Sequence, residues 1–407
     1  MINLKNTDKA VKRLVLALKN SEKIGIWSDY DPDGVFALTL AYEALLGAGF
    51  KKKNLLLSLP NQCKYRRSFN KFHLKIFKKA GIKLIIGIDF GTSDFTEVGW
   101  AKKMGFEIIL LDHHRQRPGN LPATLINPWQ KGDSSKCKNW SGTGVAYLFF
   151  ERFYQFLKID KKKLENSIDL LLIPAITDYI AINKGNLPYL EKSLEKIKTN
   201  SRPGLNISLK YIGLNKNLGI NSFEKKRTIL CDFYGTLAGN GKNNNIFKLL
   251  LSKNSNTATK ILNAIKNDFL SFEKYVDSIV KQGIKKFKAA NRQKKLKFIL
   301  WGTDTDTKLP GAGSKIATGL NNYFKVPVYF YNREKNMMKG SVRAGFSKNL
   351  NVVDSLKINP ELFIRFGGHP RASGFYILKK NIPALKTSLE KFYKEHQILI
   401  SKRQLFS

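Results

Sequence analysis

The sequence predicts an α/β protein whose N-terminal part is a parallel β-sheet with helices on both faces. Three short apolar segments, residues 23–28, 83–89 and 106–112, have the length and composition of buried strands. Segments with helical spacing separate them, and strands that alternate with helices are typical of a parallel sheet. The chain has 407 residues, which predicts two or three domains at about 150 residues each.

Each predicted strand of this part ends in an acidic residue or leads directly into one. The first, KIGIWS at residues 23–28, leads into the acidic turn DYDPDG and then into a helical segment, VFALTLAYEALLGAG. The strands KLIIGID and FEIILLD each end in an aspartate. Because the carboxyl ends of parallel strands meet at one edge of the sheet, we expect one functional crevice there. Five aspartates are predicted to lie at that edge: Asp29, Asp31, Asp33, Asp89 and Asp112.

Two further regions with different sequence patterns follow this part of the chain. From about residue 190 to residue 297 the pattern is helical and rich in Lys and Asn, with an exposed loop predicted at residues 239–245. Within it, residues 274–297 predict a basic helix, either a face that binds a phosphate backbone or a solvated connector. A second β-rich block follows, with strands at 298–302, 326–332 and 373–378. The predicted domains are therefore 1–190, a basic helical connector at 191–297, and a smaller α/β domain at 298–395.

The charge of the chain favours a polyanionic partner. It has 71 Lys and Arg against 31 Asp and Glu, a formal net charge of +40. Such a field attracts nucleic acid or an anionic membrane face. The alternative is a compositional bias without function, but the basic residues are spread along the whole chain.

Neither a membrane nor an oxidising compartment is indicated by the sequence. It has no signal-peptide-like start, no apolar run of membrane-spanning length, and three well-separated cysteines without a CxxC pair. We therefore expect a soluble, cytoplasmic protein that binds nucleic acid and has no membrane partner.

Acids and histidines at the strand ends suggest a metal site. Three residues, Asp112, His113 and His114, follow one another after the third apolar segment, and Asp178 ends the apolar run DLLLIPAITD. Clustered carboxylates repel each other unless cations neutralise them. Oxygen ligands with a minority of imidazole suit Mn²⁺ or Mg²⁺ rather than structural zinc. Each motif alone could be a turn, a helix cap or a coincidence, but the set predicts two ions about 3.5–4 Å apart, as in phosphoryl hydrolases.

These motifs resemble those of the DHH phosphoesterases, and among them the RecJ-type single-strand exonucleases. The matching N-terminal stretches are SDYDPDG, LIIGIDFGTSD, IILLDHHRQRPGNLPATLINP, SGTGVAYLF and DLLLIPAITDYIA. Three C-terminal stretches, GAGSKIATGL, GSVRAGF and FGGHPRASGF, are similar to the DHHA1 substrate-binding domain. The resemblance runs from about residue 20 to residue 380. In size and arrangement the chain is similar to archaeal RecJ-like proteins, without the OB-fold extension of the bacterial enzymes.

The resemblance implies roles for individual residues. Asp89 would bridge two Mn²⁺ or Mg²⁺ ions, and His114 would contact the scissile phosphate. The implied metal ligands are Asp29, Asp31, Asp33, Asp89, Asp112, His113 and Asp178. The implied catalytic set is Asp31, Asp33, Asp89, His113, His114 and Asp178. The implied phosphate contacts of the second domain are Ser341, Arg343, Gly367, Gly368 and His369.

Two departures from the family pattern bear on the substrate. Trp27 stands where the nanoRNase branch has a histidine, which favours the RecJ-like branch. Gln62 stands where RecJ-type proteins carry an arginine, and Arg66 or Arg67 is the expected replacement.

The predicted function is a metal-dependent exonuclease that hydrolyses single-stranded DNA or RNA from a strand end by a two-metal mechanism. One alternative is a nanoRNase-type phosphodiesterase acting on short oligonucleotides or cyclic dinucleotides. The other is an inactive RecJ-like scaffold that binds DNA in a replisome. A replication or repair protein is a further partner that the resemblance allows.

Overall fold

The computed structural model describes residues 2–58, 68–214, 219–235, 244–293, 296–306, 311–334, 336–345 and 350–404. By its internal contacts the chain divides into two compact units, Met1–Phe269 and Leu270–Ser407. The predicted boundaries at residues 190 and 297 come from changes in the sequence pattern and stay a prediction.

The first unit is built on a parallel sheet, as the sequence predicts. Its strands are paired in the order β2-β1-β3-β4-β5, and every pairing in the described residues is parallel. The strands are β1 (Ile24–Ser28), β2 (Leu55–Ser58), β3 (Leu84–Ile88), β4 (Glu107–Leu111) and β5 (Thr124–Ile126). The strands β1 and β3 are therefore neighbours, and the chain leaves both at the same edge of the sheet.

Helices cover the sheet and continue beyond it. Those of the first unit are α1 (Thr7–Lys19), α2 (Pro32–Gly47), α3 (Lys71–Lys79), α4 (Phe95–Lys103), α5 (Gly142–Leu157), α6 (Lys162–Glu165), α7 (Leu172–Thr177), α8 (Leu187–Asn200), α9 (Pro203–Tyr211), α10 (Ile220–Lys225), α11 (Arg227–Leu230) and α12 (Asn244–Leu250). A single π-helical turn, Cys231–Gly235, follows α11. Residues 236–243, which hold most of the predicted loop at 239–245, lie outside the described residues, and Asn244 already begins α12.

Separate apolar clusters cover the two faces of the sheet. On one side Ile24 and Ile26 of β1 pack with α2 and α5. On the other side Trp27 packs with α3 and α4, and its ring meets the edge of Phe69 at 5.1 Å between centroids. Strands buried on both faces read as continuous apolar runs, which is why the sequence predicts them well. Trp27 is therefore a core residue.

A buried ion network ties three parts of the first unit together. The guanidinium of Arg202 donates to Asp169 (Nη2 to Oδ1, 2.9 Å), to Glu43 (Nη1 to Oε1, 2.9 Å) and to the carbonyl oxygen of Leu250 (3.1 Å). The Arg202 side chain is 9% exposed and that of Asp169 is 1% exposed. Although burial opposes its charge, the neighbouring Asp169 and Glu43 raise the pKa of Arg202 above its ordinary value.

The second unit contains a mixed sheet and is α/β, as expected. Its strands are paired in the order β6-β7-β8-β10-β9, with β6 parallel to β7 and the other pairings antiparallel. The strands are β6 (Ile299–Asp306), β7 (Val328–Glu334), β8 (Met337–Arg343), β9 (Phe363–His369) and β10 (Ala372–Ile377). The helices after α12 are α13 (Ser255–Arg292), α14 (Ala312–Phe324), α15 (Val352–Lys357) and α16 (Ile382–Gln404).

The predicted basic helix at 274–297 falls largely within α13, which begins earlier, at Ser255, and ends before the predicted end, at Arg292. Phe272, Val276 and Ile279 of this helix are buried in a cluster with α14. It therefore has an apolar face in the core of the second unit. Among the described residues, no helix combines the length and the apolar character needed to cross a membrane.

Candidate functional site

The acidic turn after β1 folds back tightly onto the start of α2. The backbone N–H of Asp29 donates to the carbonyl oxygen of Ile88 at 3.2 Å and so extends the pairing of β1 with β3. Asp31 caps α2, since its Oδ1 accepts from the N–H of Gly34 at 3.0 Å. A Cβ atom on Gly34 would lie 2.3 Å from the carbonyl oxygen of Asp29. A glycine at this position is therefore required by the close approach of the backbone.

The carboxylate of Asp33 is fixed by the N-terminus of α5. It accepts from the N–H groups of Gly142 (2.5 Å) and Thr143 (2.8 Å) and from the hydroxyl of Thr143 (2.6 Å). Ser141 caps the same helix by accepting from the N–H of Gly144 at 3.1 Å. Unpaired N–H groups and the helix dipole favour an anion at this end. The SGTG segment thus holds Asp33 in one orientation.

Asp89 occupies the centre of the site in a strained conformation. Its φ of 67° lies in the left-handed region, which is costly for a residue other than glycine. Both carboxylate oxygens are buried, and neither accepts a hydrogen bond from the described residues. On the side of α5, a Cβ atom on Gly142 would lie 2.6 Å from the Cβ of Asp89. A buried carboxylate that accepts no hydrogen bond from the protein is suited to bind a cation.

His113 lies among three carboxylates. Its Nε2 is 3.1 Å from Oδ1 of Asp89, 3.3 Å from Oδ2 of Asp178 and 3.8 Å from Oδ2 of Asp33. Asp178 follows the last residue of α7, and its side chain is 35% exposed. The chain ends of β1, β3, β4 and α7 therefore converge on one imidazole.

Asp112 holds both histidines in place. Its Oδ1 accepts from the N–H of His113 and from Nδ1 of His114, each at 2.8 Å, and its Oδ2 accepts from the N–H of Thr92 at 2.9 Å. The buried Asn127 donates to the hydroxyl of Thr92 at 2.8 Å and to the carbonyl oxygen of His114 at 2.9 Å. The structure thus gives Asp112 several protein donors, unlike Asp89.

The electrostatics show an excess of negative charge that the protein does not neutralise. Burial and the nearby Asp33 raise the pKa of both Asp31 and Asp89, and the same causes raise the pKa of Asp178 to about 8. Burial also lowers the pKa of His113 in spite of the acids around it. In Asp112, by contrast, the hydrogen bond from His114 holds the pKa below its ordinary value although the group is buried. The residues present therefore fit divalent cations.

The predicted ligands form three overlapping groups. In each group one ligand atom per residue lies within 4.8 Å of those of the others, and Asp89 belongs to two of the groups. The groups are Asp89 with Asp112, His113 and His114; Asp33 with His113 and Asp178; and Asp29 with Asp31 and Asp89. All the acids and histidines that the sequence singles out in the first unit are thus brought together.

The predicted phosphate contacts of the second unit share one sheet. Ser341 pairs across β8 and β10 with Gly374, which pairs with Gly367 of β9, and the next row on that face joins Arg343 through Ala372 to His369. Nε of Arg343 donates to the hydroxyl of Thr318 at 3.0 Å, and its guanidinium also bonds the hydroxyl of Ser314. Gly368 has a φ of 144°, and a Cβ there would lie 2.6 Å from the carbonyl oxygen of Ala372. The side chain of His369, and all of Arg66 and Arg67, lie outside the described residues.

Comparison with known proteins agrees with this geometry. The family model described as "DHH family, N-terminal domain" matches residues 23–176. This part of the chain is a DHH domain. The single-stranded-DNA-specific exonuclease RecJ of Bacillus subtilis is 25% identical over 393 residues, 95% of this chain and 47% of that protein. RecJ of Haemophilus influenzae is 24% identical, over 92% of this chain and 66% of that protein.

Solved structures show the same fold. A crystal structure of exonuclease RecJ bound to manganese has a TM-score of 0.78 at 20% identity and covers 97% of this chain and 95% of that one. RecJ in complex with Mn²⁺ from Thermus thermophilus has a TM-score of 0.79 at 20% identity, over 97% of this chain and 55% of that one. The chain is thus homologous to RecJ exonucleases, and it spans about half the length of the Bacillus relative.

Three supporting residues of the DHH domain were not predicted from the sequence. Thr143, Thr92 and Asn127 lie in the quoted motifs, but no role could be assigned to them there. Thr143 is 110 residues from Asp33 along the chain, so only the fold shows that the two meet. For Thr92 and Asn127 the available signal was a place in the same motifs as Asp89 and Asp112, whereas the motif of Thr143 contains no acid.

Replacing Thr143 with valine is expected to weaken Mn²⁺ binding by about 10- to 100-fold, the usual loss when a group that orients a ligand is removed. Valine keeps the shape of the side chain but removes the hydroxyl that donates to Asp33. Titration calorimetry with Mn²⁺ measures the effect. Thr39→Val is the matched control, because the hydroxyl of this buried residue donates to the carbonyl oxygen of Val35 in its own helix. Equal Mn²⁺ affinity in the two variants would contradict the role of Thr143.

Proposed function

We propose that the chain is a Mn²⁺- or Mg²⁺-dependent exonuclease that hydrolyses phosphodiester bonds from an end of single-stranded DNA or RNA. The observation that carries the proposal is Asp89, whose two buried oxygens lack donors at the centre of an acidic cluster. Curated relatives over almost the whole chain are single-stranded-DNA-specific exonucleases, which supports the substrate class. The +40 charge supports a polyanionic substrate.

Two ions are proposed, because the cluster offers more carboxylates than one ion needs. Asp31, Asp33, Asp89, His113 and Asp178 would hold them, with Asp89 shared, and Asp29 would complete the acidic wall. When bound, Mn²⁺ or Mg²⁺ would stabilise the negative charge that develops on the phosphate during hydrolysis.

The protein groups do the positioning. The N-terminus of α5 fixes Asp33, and Gly142 allows Asp89 to lie close to that helix. We propose that Asp112 acts as a positioning residue, since its oxygens accept bonds from both histidine segments. That bond orients His114, whose side chain is 37% exposed and is proposed to contact the scissile phosphate.

In the second unit, Ser341 and Arg343 are proposed to bind a phosphate of the strand, together with Gly367, Gly368 and His369. An arginine presents a planar fork of donors to phosphate oxygens. Ser314 and Thr318 hold the guanidinium of Arg343 through hydrogen bonds. The two glycines lie in β9 and let a ligand approach the backbone there.

A panel of end-labelled strands tests the proposed function. The wild-type chain is incubated in Mn²⁺ with single-stranded DNA and RNA of 2 to about 30 nucleotides, labelled at the 5′ or the 3′ end, and with a duplex of the same sequence. Progressive shortening of the long single strands, and not of the duplex, is the expected result. Activity confined to substrates of two to five nucleotides would indicate the nanoRNase-type alternative. Binding without turnover in any metal would indicate the scaffold.

Binding to single strands is expected to weaken steeply with salt. If about five phosphates are neutralised, affinity should fall about 100-fold between 50 and 200 mM salt, because each neutralised phosphate releases counterions. Fluorescence anisotropy with a labelled oligonucleotide measures the slope. A nearly flat dependence would show that the charge of +40 is a compositional property without a role in binding.

A further inference from the structure

Tyr179 is an exposed aromatic residue that directly follows a candidate metal ligand in the chain. The residue follows Asp178, and 71% of its surface is exposed. Among the described residues, no other large hydrophobic side chain is as exposed. The guanidinium of Arg227 lies over its ring, 4.3 Å from the centroid. Neither residue has a part in the site described above. A ring stacked on one side and still this exposed has its opposite face open to solvent.

The end of helix α7 does not require a tyrosine at position 179. The N–H of Ile180 donates to the carbonyl oxygen of Ala175 at 2.9 Å, and that of Tyr179 to Ile176 at 3.3 Å. This is the Schellman arrangement, in which the left-handed position is usually glycine. Tyr179 holds that position with a φ of 57°, which is strained for an L side chain. Glycine would end the helix at less cost, and the ring contributes little to the core.

The segment that carries Arg227 also borders the acidic turn. Sγ of Cys231 bonds the carbonyl oxygen of Thr177 at 3.6 Å, which fixes this segment against the end of α7. At its other end, a Cβ on Gly235 would lie 3.6 Å from the ring of Pro32, which stands between Asp31 and Asp33. Cys231 and Gly235 therefore pack against residues adjacent to the candidate ligands Asp178, Asp31 and Asp33, and the same segment carries the arginine that stacks on Tyr179.

We propose that Tyr179, backed by Arg227, is a stacking platform for a nucleobase of the strand whose phosphate lies at the metal centre. This inference rests on the proposed function and adds a source of its selectivity. Stacking tolerates any base, and Arg strengthens an aromatic platform through the cation–π interaction. Bases inside a duplex are stacked on each other and cannot reach a protein ring, so the platform favours single strands. Loss of such a stack costs about 5- to 150-fold in affinity.

The test compares Tyr179→Gly and Tyr179→Phe with the wild type. Affinity is measured by anisotropy in Mn²⁺ with a labelled oligothymidylate whose phosphorothioate linkages resist cleavage. The glycine variant is expected to bind about 5- to 150-fold more weakly, and the phenylalanine variant within about twofold of the wild type, because stacking does not need the hydroxyl. The melting temperature of the glycine variant should not fall, because the left-handed strain is relieved.

Phe156→Ala is the matched control. This exposed aromatic residue lies in the last turn of α5, about 20 Å along the helix from Gly142, and its loss should leave affinity unchanged. A second comparison uses strands with one abasic site at successive positions from each end. At one position, the abasic strand should bind the wild type more weakly than the intact strand does. At that same position, the abasic and intact strands should bind Tyr179→Gly equally well.

Each outcome separates the platform from the function it rests on. A wild type that binds and shortens single strands, with Tyr179→Gly equal to it in affinity, overturns the platform alone. Abasic sites that weaken both proteins equally at every position overturn it as well. A wild type that neither binds nor shortens any strand overturns the proposed function and the platform with it.

Discussion

Replacing Asp89 with asparagine is expected to reduce metal-dependent strand cleavage by about 10³-fold or more, since a bound ion supplies several kcal/mol of charge stabilisation. The same change should stabilise the metal-free chain by about 1–2 kcal/mol. The carboxylate of Asp89 is buried, receives no hydrogen bond from the described residues and is repelled by Asp33 and Asp31. A neutral amide of the same shape removes the repulsion and can donate to the neighbouring carboxylates.

Thermal unfolding in EDTA and in Mn²⁺ separates these two effects. In EDTA the Asp89→Asn variant should melt above the wild type, and added Mn²⁺ should raise the melting temperature of the wild type far more than that of the variant. Asp160→Asn is the control, because Asp160 is exposed and its carboxylate accepts a local bond from the N–H of Lys162. A lower melting temperature for Asp89→Asn in EDTA would show that Asp89 stabilises the fold and is not an unneutralised ligand.

Replacing Arg202 with methionine is expected to lower the free energy of unfolding by about 3–5 kcal/mol, the usual cost of breaking a buried ion pair. The change leaves Asp169 buried and facing Glu43 without the cation that bonds both. It also removes the donor to the carbonyl oxygen of Leu250 at the end of α12. Urea denaturation measures the loss.

Two variants control for the general cost of replacing an arginine. Arg152→Met breaks an ion pair with Asp8 in which both side chains are well exposed, and it should cost less than about 1 kcal/mol. Adding Asp169→Asn to Arg202→Met should recover part of the lost free energy of unfolding, because it removes one of the two carboxylates that the first change leaves without a cation. Equal losses from Arg202→Met and Arg152→Met would contradict the structural importance of the network.

The sequence predicted the sheet of the DHH domain because its strands are buried on both faces. The segments that became β1, β3 and β4 are unbroken apolar runs, and the aspartates after them mark the functional edge of a parallel sheet. In the second unit, β8 and β9 were not predicted as strands. Their segments, MMKGSVR and FIRFGGH, mix glycine and basic residues with a partial apolar pattern. Glycine and lysine are uncommon in strands, so these segments did not indicate one.

The candidate site could be assembled from the sequence only as far as its ligands. The eight acids and histidines that the structure brings together in the three ligand groups were all named from strand-end position and from the resemblance. The strain at Asp89 and the donors that fix Asp33 were not predictable, because both depend on contacts between distant segments. The different surroundings of Asp89 and Asp112 could not be predicted for the same reason. Both follow buried strands, but only the fold supplies one of them with hydrogen-bond donors.

The single most direct measurement is the product pattern of a 30-nucleotide single strand labelled along its length and incubated with the wild-type chain in Mn²⁺. Short products released from one end at the earliest times, and their absence both in EDTA and with Asp89→Asn, are the predicted result. Internal fragments, or equal degradation by Asp89→Asn, would contradict the assignment of this cluster as the metal centre of an exonuclease.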